Sequence, residues 1–235
     1  MRPTGLSWVT VAALAIINSG CSSTEAPKPA SSEPLAARPG AVGAGGAGAN
    51  LTDGEFVRDV ALKNMAEVEL SRMALDRATT ATIKAFAQRM LGDHESAGQN
   101  LKSALSGQPI DWPTQLEDKH RKTADELVKK QGADFDRGYV KAMVEGHQDL
   151  AAKLESRLDV QSLTDWKTAA SGRAQSKALP EPDTVMRDVQ VRPNAADREV
   201  TMKINRWAAE TYPVVQKHLD MARALETAAK RPPTN

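Results

Sequence analysis

The sequence predicts an all-α domain, and three observations carry that expectation. Aromatic residues make up only 4 % of the chain, whereas Ala, Leu, Met, Lys and Glu, which favour helices over strands, are plentiful. Apolar residues recur at helical spacing in five separate segments, and capping or helix-stopping residues bound those segments. Thirty-one basic residues against thirty acidic ones leave a net charge of +1, so no basic stripe offers a nucleic-acid surface.

The elements follow in chain order. Residues 1–21 read as an export signal: Arg2, then the apolar run WVTVAALAII, then small residues up to Cys21. That run is too short to span a bilayer as a helix. Cys21 is the only cysteine, so the mature domain has no internal disulfide and no thiol nucleophile. Ser19, Gly20 and Cys21 resemble the lipobox of bacterial lipoproteins, in which the cysteine becomes the acylated first residue. Asn18 stands where such boxes usually carry an aliphatic residue, so ordinary cleavage and export is the alternative. Ser22 after the cysteine, rather than Asp, implies by the same resemblance sorting to the outer membrane. Residues 22–50 are Ser, Ala, Pro and Gly with nothing periodic to pack. As a flexible coil this tether reaches about 30 Å.

A domain over 51–230 follows, with a tail at 231–235. Its first helix is expected over 53–77, with Leu62, Met65 and Met73 on one stripe and Phe56, Val60 and Ala74 beside it. The second, over 80–106, aligns Ile83, Ala87, Met90, Ala97 and Leu101. A third is expected from 113, where Thr114 and Glu117 have capping-box spacing, to Gly132. The fourth, over 134–158, aligns Tyr139, Met143, Leu150 and Leu154. Asn194 is expected to cap a fifth over 195–230, with Val200, Ile204, Trp207, Val214, Met221 and Leu225 inward and a kink at Pro213. The long insertion at 159–194 is unusual in a compact domain, and Leu163, Trp166 and Ala170 have the spacing of a short helix within it.

The four histidines share a pattern. His94, His120, His147 and His218 each follow an apolar residue by one turn, namely Met90, Leu116, Met143 and Val214. Four residues later each is followed by Gly98, Ala124, Ala151 or Ala222. Helical side chains lean toward the N-terminus, so each ring lies on the apolar residue before it and the small residue after it leaves room. All four histidines are therefore expected to face inward.

The runs MAEVEL, IKAFAQRMLGDH, EDKH, FDRGYVKAMVEGH and PVVQKH together resemble a family of exported bacterial proteins labelled outer membrane proteins, a domain of unknown function with a ferritin-like helical bundle. The resemblance covers about 53–158 and 196–226. It implies an up-down bundle of four core helices plus one additional helix, in the cell envelope, and brings no activity with it.

That fold name invites a metal, which the residues can test. Ferritin-like di-iron bundles draw on two Glu-x-x-His pairs and two further Glu. Here only Glu117 and His120 form such a pair, since Leu91, Val144 and Val215 precede the other histidines by three. A carboxylate-bridged di-iron centre is therefore not expected. A single divalent metal is the one cofactor the pattern admits. Measured from Gly132, His120 and His147 lie about 18 and 22 Å along their helices, which makes Glu117, His120 and His147 the candidate ligands. The alternative is a buried polar core of Glu69, His94 and His218 with the other rings, each satisfied by a neighbour. Glu69 is expected inward on the face of Leu62, Met65 and Met73.

No nucleophile elbow, phosphate-binding loop or cysteine cluster is present in the sequence, so no catalytic residue is assigned. Three functions remain. The first is a non-enzymatic envelope module, held to a membrane by a lipid anchor, that contacts another envelope protein. The second is a metal-binding protein using inward histidines. The third is a redox enzyme of ferritin type, whose carboxylates are missing.

Overall fold

Thr52 opens the helical domain with a reciprocal cap. Its hydroxyl accepts from the Glu55 N–H at 3.3 Å while the Glu55 carboxylate accepts from the Thr52 N–H at 2.8 Å. This computed structural model describes residues 51–174 and 189–230, so the expected export signal with Cys21, the expected tether over 22–50, part of the insertion and the 231–235 tail lie outside the described residues. Six helices occur among the described residues: α1 (Asp53–Arg77), α2 (Ala81–Ala104), α3 (Asp118–Val128), α4 (Gly132–Glu155), α5 (Val160–Ala174) and α6 (Glu199–Ala229). No strand occurs among the described residues beyond a single antiparallel bridge between Leu158 and Pro193. The domain is therefore all-α, as its composition predicts. No helix among the described residues is long and apolar enough to cross a membrane.

The α1–α2 turn is held by Asp136 of α4, whose carboxylate accepts from the Thr79 N–H at 3.0 Å, and Thr80 then caps α2. Gly132 starts α4 at φ +55°, a conformation that suits glycine. Helices α1, α2, α6 and α4 pack in a ring, each against the next, while α3 lies outside it against α1 and α4.

Two apolar blocks fill the ring. One gathers Phe56 and Val60 of α1, Leu101 of α2, Leu154 of α4, and Ile204 and Tyr212 of α6; Leu163 and Trp166 of α5 pack on it. The other gathers Leu70, Met90, Phe135, Tyr139, Met143 and Ala222. Helices α1 and α6 run from the first block to the second, and α2 and α4 run back, so ring neighbours are antiparallel. On every ring helix the crossover between blocks falls at a buried polar residue: Glu67, His94, His147 or His218.

Several boundaries differ from expectation, each for a tertiary reason. Helix α3 begins at Asp118 rather than at 113. Pro113 disfavours a helical conformation at Trp112, and Ile110 and Trp112 instead pack on the first apolar block. Thr114 is exposed, and Glu117 takes the N-cap position without a side-chain cap bond. Helix α6 begins at Glu199 because Asn194 is engaged elsewhere. Its N–H donates to the Arg157 carbonyl at 2.9 Å and its own carbonyl accepts from the Asn205 amide at 2.9 Å. Helix α4 stops at Glu155, where Leu158 leaves for its bridge to Pro193. The expected short helix in the insertion is α5, so two helices rather than one accompany the four of the ring. Val214 is 40 % exposed, and Val215 is the buried residue beside Pro213.

Candidate metal centre

The central layer starts from one row of α1. Phe56, Val60, Lys63, Glu67, Leu70 and Ala74 are all buried, and they alternate spacings of four and three, the pattern that keeps a helix seam facing its neighbours. Glu67 occupies the middle of that seam, 4 % exposed. Glu69, expected inward, is exposed, because the row of Leu62, Met65 and Met73 lies beside the seam rather than on it. Gly146 of α4 gives the Glu67 carboxylate its space: a Cβ there would stand 2.7 Å from Oε1.

Three histidines from three other helices gather beside this carboxylate, two of them in contact with it. His94 Nε2 lies 2.9 Å and His147 Nε2 3.3 Å from Glu67 Oε2, and these two ring nitrogens are 3.4 Å apart. His218 completes the group, with one nitrogen of each ring within 4.8 Å of the others. All three are buried, as their sequence pattern predicts.

Each ring is oriented from behind by an acceptor. His147 Nδ1–H donates to the Met143 carbonyl at 2.8 Å, His218 Nε2–H donates to Asp93 Oδ2 at 2.8 Å, and His94 Nδ1–H donates to Asn64 Oδ1 at 3.0 Å. Gly98 in turn leaves room for the Asn64 amide, which a Cβ would meet at 2.8 Å. In a neutral imidazole one nitrogen donates and the other accepts. The outward bonds therefore turn lone pairs inward at Nε2 of His94, Nε2 of His147 and Nδ1 of His218, the last buried without a partner. The Glu67 carboxylate is buried with no hydrogen-bonding neighbour besides these rings, the nearest being His94 Nε2 at 2.9 Å from Oε2. Three ring nitrogens thus crowd together beside a carboxylate, an arrangement that calls for a proton or a cation among them.

The spacing has room for a cation. Ligands at zinc–nitrogen and zinc–oxygen distances in a tetrahedral site are separated by about 3.3 Å, and the three measured separations are 2.9, 3.3 and 3.4 Å. The electrostatics agree. Burial pushes the Glu67 carboxyl up, but His147 and His94 together outweigh it and hold it down to about 2. Burial lowers His147, against the pull of Glu67, and lowers His218 to about 4, with repulsion from His147 and His94 adding to the effect. At neutral pH the layer thus offers the Glu67 carboxylate with His147 and His218 neutral, the protonation states in which these groups bind metal.

Of the expected ligand set Glu117, His120 and His147, only His147 belongs to this group. Glu117 is exposed at the start of α3, 3.4 Å from Arg58. His120 follows it on α3 and is half-buried outside the ring. Height along a helix does not depend on which helices enclose the axis, and α3 is not among them. Glu67 was missed although its seam is visible in the sequence as the alternating row from Phe56 to Ala74.

Fold and site together define an all-helical protein with one buried histidine–carboxylate layer. The chain belongs to a family described as a domain of unknown function (DUF4142), whose sequence model matches residues 38–176. Glu67, His94 and His147 lie inside the matched stretch, whereas His218 lies beyond it. No curated protein and no solved structure matches the chain.

Proposed function

We infer that this protein holds one divalent first-row transition-metal ion, ligated by Nε2 of His94, Nε2 of His147, Nδ1 of His218 and an oxygen of Glu67. The observation that carries this reading is the meeting of three buried histidines from three helices, one nitrogen of each within 4.8 Å of the others, beside the buried Glu67 carboxylate. Three nitrogens and one oxygen suit zinc and its neighbours rather than magnesium or calcium. One carboxylate among three histidines supports a mononuclear site, not the carboxylate-rich di-iron pattern. The ring with its single crossover, from α2 to the parallel α4, supports the ferritin-like bundle reading, since such folds carry one long crossover.

Elemental analysis of the purified full chain, with melting followed against added Zn²⁺, tests this. One ion per chain and a melting temperature that rises with the logarithm of zinc concentration are expected. A chain that carries no metal and whose melting ignores Zn²⁺, Co²⁺, Mn²⁺ and Fe²⁺ overturns it in favour of a layer that shares a proton.

We also propose that the module works in the cell envelope, exported by residues 1–21 and held to the outer membrane through acylated Cys21, where it contacts an envelope protein. The apolar run and the Ser19-Gly20-Cys21 sequence support this. Membrane fractionation tests it: Cys21→Ser should release the protein or leave its precursor uncleaved, and an unmodified N-terminus beyond Cys21 would remove the anchor.

A further inference from the structure

The metal reading leaves open how an ion reaches a layer enclosed between two apolar blocks. A pocket of about 390 Å³ between α1, α3 and α4 meets the layer directly. Its outer rim carries the exposed Lys119, Thr123 and Glu145, and its floor is the buried Glu67. Gly146 lines the same pocket, and its missing Cβ leaves the space that the Glu67 carboxylate occupies, with Oε2 toward the rings. One carboxylate therefore touches both the pocket and the centre.

His120 lines this pocket too, and its Nε2 is buried without a hydrogen-bond partner. Burial first, then repulsion from Lys119 and Lys63, lowers its affinity for a proton, which favours the neutral imidazole that a metal requires. Lys63, the other buried cation of the wall, is already paired with Asp149. The larger groove elsewhere on the bundle reaches only Asn64, behind His94, and not the inward nitrogens.

We propose that this pocket is the loading path of the centre, in which His120 takes a divalent transition-metal ion first and Glu67 passes it to the three buried histidines. The proposal rests on the metal reading above. It assigns His120 a transient ligand role that the final site does not contain.

Stopped-flow mixing of the full chain with Co²⁺, read by the visible absorption of the bound ion, tests it, with release into a chelator as the reverse measurement. His120→Gln removes the first ligand, and Thr123→Trp at the exposed rim narrows the mouth without touching the core. Both are expected to slow loading and release on the order of tenfold, the scale on which a partner just outside the ligand set acts, with one ion per chain still bound at equilibrium. Unchanged rates in both variants, with normal uptake by the wild type, overturn the path and leave the centre standing. Loss of the equilibrium-bound ion in His120→Gln also overturns it, because His120 would then be a permanent ligand. A wild-type chain that takes up no Co²⁺ overturns centre and path together.

Discussion

The two apolar blocks and the layer between them are stabilised by different physics. In the blocks, Phe56, Tyr212, Phe135 and Met143 are held by burial, which has no direction and tolerates any partner of the right size. In the layer, each ring is held by one named acceptor, Met143, Asp93 or Asn64, and its inner atom faces other acceptors. The blocks thus set how stable the fold is, and the layer sets what it can bind. A core built for stability alone would carry leucines at Glu67, His94, His147 and His218.

The largest expected effect lies in a block. Phe135→Ala should cost about 3–5 kcal/mol of stability, and chemical denaturation should give the same loss with and without Zn²⁺, since no layer group touches the change. The next lies in the layer: at zinc a hundredfold above its Kd, the wild type should gain about 2.7 kcal/mol, and His147→Ala should gain none. A metal-linked gain that survives His147→Ala would erase the distinction between the two regions.

The third effect is acid sensitivity in the absence of metal. His147 and His218 have folded values below the usual 6.5, so their contribution is complete above that value and is lost as pH falls through it toward the value near 4 of His218. The loss should be on the order of 2 kcal/mol across that window. Glu67, also depressed, adds its share below its usual 4.5. Replacing His218 with Leu should flatten the profile between pH 6.5 and 4, and denaturation midpoints across that range would show it.

Smaller still, Asp93→Asn should weaken zinc binding about tenfold by loosening the tautomer of His218, while leaving metal-free stability nearly unchanged because Asp93 is 37 % exposed. Calorimetric titration separates the two. Smallest of all, Arg58→Ala breaks exposed pairs with Asp111 and Glu117 and should move stability by no more than about 0.5 kcal/mol, with zinc affinity untouched.

The sequence by itself determined the all-α class, the extent of α1 and α2 to within two residues at each end, and the burial of His94, His147 and His218. Those follow from local rules: helical period, caps such as Thr52 and Thr80, and, for His94 and His147, a buried Met90 or Met143 one turn before the ring; the exposed Val214 gives His218 no such support. Tertiary structure decided the rest. The choice of Glu67 over Glu69 depended on which of two adjacent rows of α1 faces the axis, and both rows hold apolar residues, so periodicity alone left them nearly equal. His120 and His147 stand at similar heights, yet α3 lies outside the ring, and only the packing of α3 against α1 and α4 separates a ring inside the bundle from one at a pocket mouth. Asn194, a good cap by its type, was drawn away by Arg157 and Asn205, partners distant in sequence. Local preferences are worth about 1 kcal/mol each, and contacts between helices outweigh them wherever the two disagree.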